Sequence, residues 1–249
     1  MARPLALITG GWRRIGAAIA RALAADGWDL ALHAHHADAF DEGFAAELDA
    51  QVRGFAADLT DADAPARLVG EAAQAFRRAP TLLVNSASIF RDDRLATLTP
   101  ESLDAHMRTN LYAPLLLTRA FAERLDGEGC VVMLLDSRVR NPVPDQLAYS
   151  LSKQALHASL RNLARELAPR VRVNGVAPGL VLPTADYDAA QWERLRAMMP
   201  LERLPRPEDV AAAVVWLARA PAVTGQTLFV DAGANLEAFP RDFVYLGRE

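Results

Sequence analysis

Leu5-Ala6-Leu7-Ile8-Thr9-Gly10-Gly11-Trp12-Arg13-Arg14-Ile15-Gly16 is the stretch on which the fold turns. Four apolar residues make a short buried strand, and Thr9-Gly10-Gly11 breaks it. Ile15, Ile19 and Leu23 then recur at i, i+4 and i+8, one face of a helix, which Gly27 ends. Gly10 permits the tight turn and Gly16 lets the helix pack close to the sheet. The helix N-terminus offers free N–H groups to a pyrophosphate. Glycine after a strand is also an ordinary turn, so this unit alone leaves that reading open.

The same alternation continues outward. Strands are expected at 28–33, 52–57, 82–84, 130–135, 171–176 and 227–230, with helical stretches between them. One helix has Thr99 as N-cap and Pro100 at its first position. Another runs from Tyr149 to Leu167, with Leu156, Leu160, Leu163 and Leu167 on one face. Seven short apolar strands separated by helices imply βαβ crossovers. The expected fold is α/β, one doubly wound domain over residues 1–249 with a parallel sheet covered on both sides. Five prolines fall between Pro178 and Pro207, where a lid over a cleft would fit. The tail, 235–249, carries Phe239, Phe243, Tyr245 and Leu246 and is expected at a subunit interface.

Composition removes other classes. With 51% hydrophobic and 23% charged residues the chain is neither disordered nor collagen-like, and one cysteine, Cys130, forms no internal disulfide. The net charge is −4 and no basic run exceeds two residues, so no nucleic-acid partner is expected. The longest apolar run, Val210 to Ala218, falls short of the ~20 residues that span a bilayer, so no membrane partner is expected either. Leu5–Ile8 is too short for a secretory core, and a reducing, cytoplasmic setting is the expectation.

Ligands of such sheets bind beyond the carboxyl ends of the strands. The second strand ends in His33-Ala34-His35-His36 without a carboxylate until Asp38. Arg13, His35 and His36 instead supply donors suited to a 2′-phosphate, which points to NADP(H). A metal site is the alternative for the histidines, but no further ligand completes it; for His36, plain strand-end polarity competes. After the fifth strand come Asp136, Tyr149 and Lys153, the last two one helical turn apart. Lys153 is the only lysine among 27 Lys and Arg side chains. An ammonium there favours phenolate and should pull the tyrosine toward the working pH.

These residues resemble the short-chain dehydrogenase/reductase family over nearly the whole chain. Its marks are TGGWRRIG at 9–16, Asp58-Leu59, NSAS at 85–88, Asn110 within a helix, YSLSK at 149–153, RVNGVAPG at 172–179 and TGQTLFVDAG at 224–233. The resemblance implies a Rossmann-type sheet, NAD(P)-dependent carbonyl or imine chemistry, and a homotetramer. It places the cofactor against Gly10, Arg13, Arg14, Ile15 and Gly16, then Asp58 and Leu59, then Asn85, Ser86 and Ala87, and finally Pro178 and Gly179. Tyr149 becomes the proton donor, Lys153 also holds the nicotinamide ribose, and Asn110 supports a water chain.

Two departures narrow the resemblance: Arg14 where the family commonly has Gly, and Asp136 where it has Ser. Both are similar to the pteridine reductase and dihydromonapterin reductase branch. That branch implies a pterin held by Arg14, Ser88, Phe90, Asp136, Tyr149 and Leu180. Core packing for Phe90, a turn cap for Ser88 and ion pairing of Asp136 with Arg138 or Arg140 stay open. So do reduction of a 3-oxoacyl thioester or sugar-like ketone, and a non-catalytic NADP-binding sensor.

Overall fold

The computed structural model describes residues 3–183 and 187–248. Its elements in chain order are β1 (Leu5–Thr9), α1 (Arg14–Ala25), β2 (Asp29–Ala34), α2 (Glu42–Ala46) and β3 (Val52–Ala56). Then follow α3 (Ala64–Phe76), β4 (Leu82–Asn85), α4 (Pro100–Met107), α5 (Ala113–Arg124) and β5 (Gly129–Leu134). The last are α6 (Leu147–Leu167), β6 (Val171–Pro178), α7 (Ala189–Met198), α8 (Pro207–Arg219) and β7 (Thr227–Val230). The strands form one parallel seven-stranded sheet in the order β3-β2-β1-β4-β5-β6-β7.

The two-residue period of β1 divides the core. Leu5 and Leu7 join a cluster with Leu68, Leu117, Phe121 and Leu160, under α3, α5 and α6. Ala6 and Ile8 face the other way, toward Ile19, Leu23, Val210 and Val214 of α1 and α8, which pack on each other. Both faces are therefore covered, as the continuous apolar strands require. α1 ends as its sequence demands: Gly27 takes φ +89, and the Trp28 N–H donates to the Leu23 carbonyl.

Part of the tail packs within its own chain. Phe239 and Phe243 meet edge to face at 5.1 Å and pack on Met199, Ala232 and Ala234. The Gln191 amide of α7 donates to the carbonyls of Phe243, Val244 and Leu246. The apolar character read as a docking surface for a neighbour is thus satisfied in part intramolecularly. The region expected as a lid, 178–207, includes α7, whose Leu195 is fully buried; residues 184–186 of it lie outside the described residues. Among the described residues no helix is long and apolar enough to cross a membrane.

Candidate active site

Strand order reverses between β1 and β4, and a cleft of about 800 Å³ opens beyond their carboxyl ends. The turn after β1 supplies one wall. Gly10, Arg13, Arg14, Ile15 and Gly16 all line the cleft. Gly10 has φ +64, and a Cβ on Gly16 would collide with the Gly10 carbonyl, so the turn and helix start are pressed together. The N-cap residue of α1, Arg13, makes no side-chain capping bond, leaving the first amides to whatever enters. Arg14 has φ +52, a left-handed backbone that costs a non-glycine residue roughly 1 kcal/mol. Its exposed side chain stands at the cleft mouth.

His35, Asp58 and Leu59 line the far end, with His35 3.8 Å from Asp58. Hydrogen bonds from the Thr60 amide and hydroxyl hold the Asp58 carboxyl below its ordinary value. His36 lies outside the lining, its ring edge-on to His35 at 4.0 Å. His33, grouped with His35 as a metal alternative, is a buried structural residue. Its Nδ1 accepts the Gly10 N–H and its Nε2 meets the Ala57 carbonyl at 2.9 Å, and burial lowers its pKa. Among the described residues no cluster of three or more His, Cys, Asp or Glu could hold a metal.

From β4, Ser86, Ala87, Ser88 and Phe90 face the cleft. The Thr9 hydroxyl accepts the Ser86 and Ala87 amides and pins this loop to β1. Asn85 does not reach the cleft: it is buried at the strand end, where its amide donates to the Met133 sulfur. Asn110 sits in a π-helical turn, Arg108–Tyr112, between α4 and α5. Its oxygen accepts from the Ile89 amide and the Ser88 hydroxyl, while its nitrogen donates to the Ile89 carbonyl and the Ser152 hydroxyl. Four partners exhaust an amide side chain, so here Asn110 braces the β4 loop against α6 rather than lining the cleft.

The chemical groups come from the end of β5 and from α6. Tyr149, Lys153, Leu156, Leu160 and Ala164 share the buried stripe of α6, so core packing aims the first two. The Tyr149 hydroxyl donates to Asp136 Oδ2 at 2.8 Å. Lys153 Nζ donates to the Leu134 carbonyl at 2.7 Å and lies 5.8 Å from the Tyr149 ring centre. The Phe90 ring, half exposed, stands edge to face with Tyr149 at 4.8 Å. Pro178 closes this side of the cleft, whereas Gly179 and Leu180 line an adjoining alcove of about 210 Å³ shared with Ile15, Phe90 and Asp136.

The electrostatics correct one expectation. The Tyr149 phenol is not made acidic: burial first, then the Asp136 carboxylate, hold it well above its ordinary value, with Arg138 opposing. Burial lowers Lys153 to about 8, so desolvation weakens the very cation that was expected to favour phenolate. Tyr149 is therefore a neutral phenol with a proton to give. Arg138 and Asp242 were not among the expected site residues. Arg138 pairs with Asp136, as the sequence allows, and its Cζ also lies 5.5 Å from the Tyr149 ring centre.

Comparison with known proteins agrees with this architecture. The family model described as Enoyl-(Acyl carrier protein) reductase matches residues 11–235. A 3-oxoacyl-[acyl-carrier-protein] reductase of Synechocystis sp. is 32% identical, covering 92% of this chain and 96% of its own. The structure of FolM alternative dihydrofolate reductase 1 from Brucella canis, complexed with NADP, superposes with a TM-score of 0.85. It is 34% identical, over 95% of this chain and 96% of that one. A blue fluorescent protein from a metagenomic library, in complex with NADPH, gives 0.84 at 30% identity, over 92% and 97%. The chain belongs to the short-chain dehydrogenase/reductase family. It is an oxidoreductase whose cofactor is NADP(H), and the α1 terminus, the Gly10–Gly16 cradle and the donors of Arg13 and the His35 ring fit that dinucleotide.

Proposed function

We propose that this chain is an NADPH-dependent reductase of pterin-type substrates such as a dihydropteridine or dihydromonapterin. The observation that carries this reading is the Tyr149–Asp136 hydrogen bond of 2.8 Å beneath the Phe90 edge. A ketone oxygen is served by a neutral hydroxyl partner. A ring nitrogen that must gain a proton is better served by a phenol coupled to a carboxylate. The flat Phe90 face suits a flat heterocycle, and Arg14 supplies a cation at the mouth in spite of its strained backbone. The Brucella relative is named a dihydrofolate reductase, and dihydrofolate carries a pterin ring.

NADPH supplies the hydride when bound. The amides of α1 and the Arg13 and His35 side chains would hold its phosphates, and Lys153 would hold its ribose. Phe90 and Ser88 orient the substrate ring. Tyr149 gives its proton to the ring nitrogen, and Asp136, with 18% of its side chain exposed, links the phenol to solvent. The 3-oxoacyl thioester is the second reading, favoured by the Synechocystis relative. Assembly as a homotetramer in a reducing cytoplasm completes the proposal, with light scattering as the measure of assembly.

One assay decides between the readings: NADPH consumption with dihydrobiopterin, dihydromonapterin or dihydrofolate beside an acetoacetyl thioester. The expected result is a kcat/KM for a dihydropterin roughly 100-fold above the thioester. The reverse order overturns the pterin reading.

A further inference from the structure

We propose that Arg138, clamped by Asp242 of the C-terminal tail, is a positioning residue that fixes the Asp136 carboxylate for Tyr149, so that the tail is part of the active site. The inference rests on Tyr149 being the proton donor and is indifferent to which substrate is reduced.

Asp136 divides its two oxygens. Oδ1 accepts the Arg138 backbone N–H at 2.9 Å and faces Arg138 Nε at 3.7 Å, while Oδ2 takes the Tyr149 hydroxyl. One residue thus occupies one oxygen through both backbone and guanidinium and leaves the other for the phenol. The guanidinium is itself held firmly. Nη2 pairs with Asp242 at 2.5 Å and Nη1 donates to Gln146 Oε1 at 3.1 Å. Its Cζ lies over the rings of Phe90 and Tyr149, 5.3 and 5.5 Å from their centres. The Arg138 side chain is 12% exposed and that of Asp242 is 2% exposed, so this charge pair is screened little by water.

The clamp is anchored in turn. The Asp242 amide donates to Asp145, which also takes a bidentate pair from Arg241. Tyr245 donates to Asp92, the residue that accepts from the Gln146 amide. Gln146 precedes α6 with φ +47. The tail therefore grips both Arg138 and the start of the helix that carries Tyr149. A tail serving only to seal the fold has no need to pair a buried carboxylate with a cation 5.5 Å from the ring centre of the proton donor.

The charged groups facing the phenol are Asp136 and Arg138 from the turn after β5, Asp242 from the tail and Lys153 from α6; Tyr187 also faces Arg138. Arg138 favours the ionised phenol and Asp242 disfavours it. Opposite substitutions should consequently move the proton-loss limb of the Asp136–Tyr149 pair in opposite directions.

The test compares Asp242→Asn, Arg138→Lys and the double variant Arg138→Met/Asp242→Asn in the full chain. The double variant removes both charges together, which preserves folding where loss of one alone strands the other. NADPH oxidation is followed against pH with whichever substrate of the preceding assay turns over fastest, and NADPH affinity is measured by fluorescence. In the double variant kcat is expected to fall roughly 10-fold. Its NADPH affinity is unchanged and its limb moves up by roughly one pH unit. Asp242→Asn moves the limb down, and Arg138→Lys recovers most of kcat. A double variant that folds with wild-type kcat and pH profile overturns the proposal, as does a limb that moves the same way in both Asp242→Asn and the double variant. Should the double variant fail to fold, Arg138→Lys and Asp242→Asn decide it: wild-type profiles in both refute the clamp.

Discussion

Tyr149 and Asp136 stand thirteen residues apart in sequence, yet their side chains share one proton donor and one acceptor across 2.8 Å. The consequence is chemical. A buried phenol beside a carboxylate keeps its proton, because ionising it would place two anions side by side in a poorly solvated site. A retained proton is what a reductase must deliver as a heteroatom gains negative charge. After burial itself, Asp136 is the group that most strengthens the hold of Tyr149 on that proton.

Asp136→Ser tests this pairing. The serine restores a neutral hydroxyl, lets the phenol pKa fall toward its ordinary value, and removes the link from phenol to solvent. Turnover of a dihydropterin is expected to drop roughly 100-fold, with a smaller loss on a simple ketone. Steady-state kinetics on both substrates measure the difference, and equal losses would detach Asp136 from pterin chemistry.

Lys153 carries a stability signature of its own. Its ammonium is buried and its pKa is about 8, against ~10.4 in an unfolded chain. Below pH 8 the lysine is charged in both states and the folded chain bears the whole desolvation cost. Between 8 and 10.4 the folded chain sheds the proton first, and the cost disappears. Lys153→Met should therefore be more stable than wild type at pH 7, by up to about 3 kcal/mol. The gain should fade toward pH 10 while activity is lost throughout. Urea unfolding of the two proteins at both pH values checks the sign; a gap that does not change with pH would contradict it.

The βα framework was legible because it rests on short-range rules. The two-residue period of β1 and the 3.6-residue period of α1 are local, and Gly10, Gly16 and Gly27 stand where the backbone needs them. Tyr149 and Lys153 were legible for the same reason, being one turn apart. α6 begins two residues before the expected start, because Gln146 takes a left-handed conformation that no periodicity announces. The π-helical turn around Asn110 inserts a backbone irregularity without a residue signature. Arg138 and Asp242 were missed because their meeting spans about a hundred residues and depends on where the tail packs. The phenol was assigned the wrong shift direction because a nearby cation was weighed without the burial that raises Tyr149 and lowers Lys153 together.

His35 offers a test of cofactor choice. No carboxylate lies at the end of β2, and His35 faces the cleft beside Asp58. His35→Asp removes a donor and sets a second negative charge against a 2′-phosphate, while creating an acceptor for a ribose hydroxyl. NADPH should bind roughly 10- to 100-fold more weakly, and NADH more tightly. Fluorescence titration with each dinucleotide gives both numbers. Unchanged NADPH affinity would move the 2′-phosphate contact away from His35.

Gly16 offers the hardest structural test of the cradle. A methyl group there would lie 2.9 Å from the Gly10 carbonyl carbon and closer still to its oxygen, and 3.1 Å from the Gly11 Cα. Every one of these neighbours is backbone, so no side chain can rotate aside. Gly10 is itself held by its turn, with φ +64, and even a Cβ added to it would meet the Ala87 backbone at 3.2 Å. Gly16→Ala must therefore push α1 off the turn, although alanine is the better helix former. A loss of roughly 1–3 kcal/mol in stability is expected from the overpacking. NADPH affinity should fall as well, because the displaced amides are the ones that face the cleft. Gly27→Ala is the control: nothing lies within 4 Å of its Cβ, so its cost is confined to the left-handed backbone and cofactor affinity stays at the wild-type value. Thermal unfolding and NADPH titration of both variants separate the two effects. A Gly16→Ala protein that binds NADPH normally would mean that the close approach of turn and helix plays no part in holding the dinucleotide.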